Sequence, residues 1–126
     1  MQAIPPWDPA GTIDHPASHM RPADVILIEQ HTPGPDAGPC PPTFCNCSQW
    51  AYVPVEWNQA EFGVIRSATA RGIVVIEPAG NGGQNVDDPR YLDRFNLGVR
   101  DSQAIMVGAV DSGEPGSGRE FPAGRW

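Results

Sequence analysis

Two short runs of apolar, mostly β-branched residues constrain the fold of this 126-residue chain more than any other feature. The first, residues 24–29, reads Asp-Val-Ile-Leu-Ile-Glu, and the second, residues 73–76, reads Ile-Val-Val-Ile. Continuous runs without polar alternation are typical of strands buried on both faces of a parallel sheet. They predict an α/β fold with at least two parallel strands.

Residues 55–71, between the two runs, are predicted to form the crossover helix that parallel neighbours require. Apolar residues recur there at steps of three and four, which is the spacing of one helical stripe: Trp57, Ala60, Val64, Ile65 and Ala68. Pro54 suits the first turn of this helix, and Gly72 suits its end. The prediction is a right-handed strand, helix and strand unit.

A third apolar run, residues 104–109, predicts one more strand. Between the elements, 15 prolines and 14 glycines favour long loops, of which residues 31–54 form the longest. We expect an irregular N-terminal arm over residues 1–23, because it holds five prolines and no sustained apolar period. The core then spans residues 24–110, and residues 111–126 form a disordered tail rich in Gly, Ser and Pro.

The charge of the chain argues against nucleic acid as a partner, since 15 acidic and 8 basic residues give a net charge of −7. We expect no membrane association, because no apolar run approaches the roughly 20 residues that span a bilayer. The N-terminal 20 residues lack the pattern of an export signal. Neither the compartment nor the oligomeric state follows from the sequence.

The second run ends in a glycine-rich motif, Glu-Pro-Ala-Gly-Asn-Gly-Gly over residues 77–83. Here the chain resembles the subtilisin-like serine proteases, in which a buried strand ends in Ala-Gly-Asn-x-Gly and the Asn donates a hydrogen bond to the oxyanion intermediate. Asn81 occupies that position. The resemblance extends over residues 24–109, because residues 102–109 match the Ser-x-Ala-Ile-x-Val-Gly-Ala strand that follows the motif in the family.

The resemblance implies a serine endopeptidase that acts on peptide or protein substrates, and this chain would be a fragment of the three-layer fold. Members of the family are typically extracellular. By the same resemblance, Glu29, Gln30 and His31 match the segment that pairs with substrate. The opposite wall of the specificity pocket would be formed by Pro78, Ala79 and Gly80. Glu29 and Glu77 would make this pocket acidic and favour a basic substrate side chain.

Asn81 also has a physical case of its own. Open α/β sheets place their sites at the carboxyl ends of the strands, and a preorganised amide donor there stabilises developing negative charge by roughly 3 kcal/mol. The alternative is that Asn81 caps its own turn, since Asn and Gly are common in tight turns. A phosphate loop is disfavoured, because the dinucleotide fingerprint needs a glycine where this chain has Asn85.

The chain lacks the family's catalytic Asp, His and Ser motifs. Asp8 and the Asp14-His15 pair match them only by chance, and we expect His15, His19 and His31 to be ordinary loop histidines. Ser117 lies in the tail and is a poor candidate nucleophile. We therefore expect a truncated piece that is inactive alone; the alternative is a noncatalytic subtilase-like module that binds peptides.

We expect no cofactor, with Ca²⁺ as the one cation considered because many members of the family use it. The possible oxygen ligands are Asn85, Asp87, Asp88 and Asp93. The alternative interpretation is that these residues form a solvated loop with an Asp-Pro turn at Asp88-Pro89.

The three cysteines, Cys40, Cys45 and Cys47, have a C-x₄-C-x-C spacing that is unusual for zinc. This spacing favours either a local disulfide or free thiols.

Overall fold

The structure is a computed structural model that describes residues 8–37 and 51–108. The cysteine cluster and the tail lie outside the described residues. The helices and strands are α1 (Pro9–Ala17), β1 (Val25–Leu27), β2 (His31–Pro33), β3 (Tyr52–Pro54), α2 (Gln59–Ala70), β4 (Val74–Pro78) and β5 (Ile105–Val107). Short 3₁₀ helices span Val55–Trp57 and Pro89–Tyr91. No helix within these ranges has the length and apolar character needed to cross a bilayer.

The three predicted strands form one parallel sheet in the order β1-β4-β5. Val25 lies opposite Val74, and Ile76 lies opposite Ile105. The strand, helix and strand unit predicted from the two apolar runs is confirmed as β1, α2 and β4. The chain is therefore mixed helix and strand with a parallel sheet, compatible with the expected α/β class.

The crossover helix is shorter than predicted. Residues 55–57 form a 3₁₀ turn and Asn58 is extended, so α2 begins only at Gln59. The predicted stop is confirmed: Gly72 has a φ of 83°, its N–H donates to the Thr69 carbonyl, and the N–H of Ile73 donates to the Ala68 carbonyl. This pair of bonds is a Schellman motif, which requires the left-handed conformation that glycine adopts without strain.

The N-terminal segment is not wholly irregular as predicted, because α1 occupies residues 9–17. The Asp8 carboxylate caps this helix by accepting the N–H of Gly11 at 2.8 Å, and Pro9 opens it with a preset φ. Ile13 and Ala17 are buried in the main core. The expectation was wrong because Asp-Pro is a helix-start signal, and burial against α2 outweighs the presence of Pro16 inside the helix.

Only one face of the sheet is covered in the described residues, so the expectation of strands buried on both faces is wrong. Ile65 of α2 and Val75 of β4 are fully buried on the covered face. On the other face, Val25 is 54%, Leu27 63% and Ile105 53% exposed. The strand order β1-β4-β5 fits this, because crossovers of the usual right-handed kind that progress in the same direction cover the same face.

The ends of the predicted long loop pair with each other. β2 and β3 are antiparallel, with His31 opposite Pro54 and Thr32 opposite Val53. The N–H of Gly34 extends the pairing by donating to the Ala51 carbonyl at 2.8 Å. This small second sheet fixes the segment that leads into α2.

The uneven covering of the sheet predicts unequal costs for one chemical change. Val75→Ala removes fully buried methyl groups, and we expect it to lower the free energy of unfolding by about 2 kcal/mol. Val25→Ala is the matched control on the exposed face and should cost less than about 0.5 kcal/mol. Urea denaturation of both variants checks this, and equal costs would contradict the assignment of the two faces.

Candidate functional site

The carboxyl ends of the three parallel strands lie at one edge of the sheet. The N–H of Ile28 donates to the Ile76 carbonyl at 2.8 Å, which continues the β1-β4 pairing past β1. The N–H of Ala79 donates to the Val107 carbonyl at 2.9 Å, which continues the β4-β5 pairing past β4. The predicted substrate segments, residues 29–31 and 78–80, therefore leave neighbouring strands at the same edge. Glu29 is exposed, and the other five residues of these segments are half-buried.

Asn81 lies on a tight loop at this edge, residues 80–83, called here the Asn81 loop. Gly80 and Gly83 have positive φ of 89° and 56°. The N–H of Gly82 donates to the Tyr52 carbonyl of β3 at 3.1 Å. A Cβ atom on Gly82 would lie 2.3 Å from that carbonyl oxygen, and one on Gly80 would lie 2.6 Å from it. The glycines thus let the loop backbone contact the β3 backbone directly, and the Asn81 residue is exposed.

Two residues that the sequence analysis missed support the loop from its other side. The Gln84 amide nitrogen donates to the Gly82 carbonyl at 2.9 Å, and its amide oxygen accepts the Tyr91 hydroxyl at 3.1 Å. Tyr91 is 1% exposed and contacts Trp57 edge to face. Burial raises the pKa of the Tyr91 hydroxyl, so it remains a donor at neutral pH. The only sequence signal was that Gln84 directly follows the motif.

His31 belongs to β2 rather than to a loop as predicted. Its ring contacts the Tyr52 ring edge to face, with 4.7 Å between centroids. Burial lowers the pKa of His31, which favours the neutral imidazole. Through Tyr52, His31 belongs to the same packed group as the Asn81 loop.

A Ser-His contact is present, but at the opposite edge of the sheet. The Ser18 hydroxyl lies 2.9 Å from His19 Nδ1 and donates to the His15 carbonyl at 2.7 Å. These residues end α1, and the N–H of Ala23 just beyond them donates to the carbonyl of Gly72, which precedes β4. They are therefore near the amino ends of the strands, away from Asn81. His15 is exposed on α1 rather than on a loop.

Glu77 does not line an acidic pocket with Glu29, and that expectation is wrong. The alternation along β4 places Val75 and Glu77 on the covered face, where Glu77 is 1% exposed. It lies beside Glu56, which is 5% exposed. Burial, and then the neighbouring Glu56 charge, raise the pKa of Glu77 to about 8. This carboxyl is neutral over most of the physiological range.

The acidic run considered for Ca²⁺ binding is engaged in turns. Asp88 accepts the backbone N–H of Arg90 at 3.0 Å and its Nε at 2.9 Å, and these bonds lower the pKa of Asp88. The N–H of Asp87 donates to the Asn85 side chain at 3.2 Å. Within residues 8–37 and 51–108, no three His, Cys, Asp or Glu side chains are grouped to hold a metal. The turn chemistry expected at Asp88-Pro89 is present, with Asp88 capping a 3₁₀ helix.

Comparison with known proteins yields no match: no family model, no curated protein and no solved structure is significantly similar to the chain. The chemistry of the Asn81 edge therefore rests on the residues and contacts of this chain alone.

Two glycine substitutions should have opposite effects on stability, because Gly82 contacts the β3 backbone closely and Gly63 lies in open space. Gly82→Ala should lower the free energy of unfolding by about 2 kcal/mol, because the new Cβ overlaps the Tyr52 carbonyl oxygen. Gly63→Ala, on the exposed face of α2 with no atom within 4 Å of the added Cβ, should stabilise the protein by up to about 1 kcal/mol. Thermal and urea denaturation measure both, and a harmless Gly82→Ala would rule out the close approach.

Proposed function

We propose that this chain supplies part of the central sheet and the oxyanion-binding residue of a subtilisin-like serine endopeptidase. The observation that carries the proposal is the position of Asn81, an exposed residue on a loop fixed to β3 at the carboxyl edge of a parallel sheet. Asn81 would donate a hydrogen bond to the negative oxygen of the tetrahedral intermediate.

Fixed geometry supports this role, because an oxyanion donor is effective only when it needs no rearrangement in the transition state. Gly82 is held through its N–H by Tyr52 and through its carbonyl by Gln84. Gln84 is held in turn by the buried Tyr91 hydroxyl. A donor prepared in this way contributes about 3 to 4 kcal/mol to transition-state stabilisation.

The segments beside Asn81 suit an extended peptide. Residues 29–31 and 78–80 leave adjacent strands, and their backbone groups would pair with a substrate strand on either side. Pro78 offers no N–H, so the donors of that segment come from Ala79 and Gly80. Since the Ala79 N–H already bonds Val107 and His31 pairs with Pro54 of β3, substrate would depend mainly on the backbone of Glu29 and Gln30.

The chain does not complete a catalytic triad by itself. Its 126 residues hold no His-Gly-Thr or Gly-Thr-Ser motif. The contact between Ser18 and His19 lies near the amino ends of the strands, whereas Asn81 lies at the carboxyl ends. Asn81 therefore cannot donate a hydrogen bond to an intermediate formed at Ser18. An oxyanion donor without a nucleophile and base has no intermediate to stabilise. We therefore expect the chain alone to show no peptide turnover.

The first test of the proposal is a peptidase assay of the purified chain with a panel of chromogenic peptides and a fluorophosphonate probe. Absence of both turnover and labelling is expected. Peptide turnover together with probe labelling would contradict the proposal that this chain lacks a complete catalytic triad.

The decisive test uses a longer product of the same coding region that contains His and Ser motifs. There, Asn81→Ala should lower kcat by about a hundredfold to a thousandfold with little change in KM, as loss of one oxyanion donor predicts. Asn85→Ala, in the turn that follows, is the matched control and should retain activity. An unaffected Asn81→Ala enzyme, or the absence of both motifs from every neighbouring reading frame, would refute the proposal. Peptide binding without those motifs would instead identify a noncatalytic module.

A further inference from the structure

Two buried carboxyl groups, those of Glu56 and Glu77, lie side by side in the protein interior. Three of their four oxygen atoms, Oε2 of Glu56 and both of Glu77, are buried and have no well-aligned hydrogen bond from the described residues. Burial, and then the Glu56 carboxyl, outweigh the backbone N–H groups of Glu56 and Val55, which lie near the Glu77 carboxyl and lower its pKa slightly. Buried polar atoms without partners are rare in folded proteins, because each costs about 1 to 3 kcal/mol. The pair therefore needs a physical explanation.

One proton supplies that explanation. Two ionised carboxylates are acceptors only and cannot bond to each other, and burying both charges is costly. When one carboxyl is protonated, an O–H···O bond forms between the two, and one of the two charges disappears. The adjacency of the groups suits such a bond.

The charged groups around the pair favour Glu77 as the holder of the proton. β1 and β5, which flank Glu77 on β4, carry only apolar residues. The buried charged side chain on α2 is Glu61, which is also an acid. Arg100 acts on Glu56 rather than on Glu77, and Arg94 in turn acts on Arg100. Among the described residues, a cation therefore interacts with Glu56, and no cation is among the groups that shift the pKa of Glu77.

The position of the pair connects it to the Asn81 loop. Glu77 lies on β4 three residues before Gly80, where the loop begins. Glu56 lies in the 3₁₀ helix that directly follows β3, and β3 supplies the Tyr52 carbonyl that binds Gly82. The carboxyl pair and the Gly82–Tyr52 bond therefore join the same two segments of the chain.

We propose that Glu56 and Glu77 share one proton, and that this proton helps to hold the Asn81 loop against β3, so that its loss loosens the loop. The inference goes beyond the proposed peptidase role and stands whether or not Asn81 binds an oxyanion. The pKa of Glu77 is about 8 in the folded protein, against an ordinary value of 4.5. The stabilisation is thus complete below about pH 4.5, declines as the pH rises, and is lost at about pH 8.

Hydrogen exchange of single amides, read by NMR from pH 5 to pH 9 and expressed as protection factors, tests this inference. In the wild type, protection of the Gly82 amide should fall by up to about tenfold per pH unit until about pH 8 and then level off. The Val74 amide, bonded to Asp24 at the other end of β4, should change less. In Glu77→Gln, whose side chain resembles the protonated acid, Gly82 protection should be independent of pH over this range.

Two further variants keep the test decisive. Glu61→Gln replaces another buried glutamate and should retain the wild-type pH profile. Glu56→Gln removes the charge beside Glu77 but leaves Glu77 buried, so it should weaken the pH dependence of Gly82 protection. If Glu77→Gln fails to fold, Glu56→Gln serves as the test variant. If Gly82 protection depends on pH identically in the wild type and in the test variant, the hypothesis of a shared proton is wrong. Equal losses of protection at Gly82 and Val74 would overturn the link to the loop.

Discussion

Parallel pairing of β1 with β4 is the constraint on which the rest of this structure depends. Parallel neighbours cannot be joined by a tight turn, so the chain must cross back over the sheet, and α2 does so. The crossover needs an abrupt end before β4, which Gly72 provides through its positive φ. The same pairing brings the segments after β1 and β4 out at one edge, where the Asn81 loop lies.

Order at that edge comes from contacts that lie outside the main sheet. β3 meets the Asn81 loop backbone to backbone, and Gln84 and Tyr91 support the loop from the other side. The buried Glu56 and Glu77 pair joins the same two segments from the interior. The loop that carries Asn81 is thus held by a small set of neutral hydrogen bonds together with the carboxyl pair proposed to share a proton, and we expect this combination to make the edge both ordered and sensitive to pH.

The sequence predicted the sheet strands and the end of the crossover helix because those features depend on local signals, namely apolar runs and Gly72. It missed α1, whose stability comes from the burial of Ile13 and Ala17 against distant residues. It misjudged Glu77 for a related reason: a glutamate in an apolar strand suggests a strand end, whereas β alternation places it beside Glu56 in the interior. Contacts such as Gln84 with Tyr91 join residues whose partners no periodic pattern reveals.

The proposed role of Asn81 requires a loop that is already rigid before any ligand binds, and backbone ¹⁵N relaxation of the free protein measures that rigidity. We expect order parameters for Asn81 and Gly82 near those of the sheet, about 0.85. Values below about 0.6 for these two amides, with ordinary values in β4, would show a flexible loop and contradict the claim.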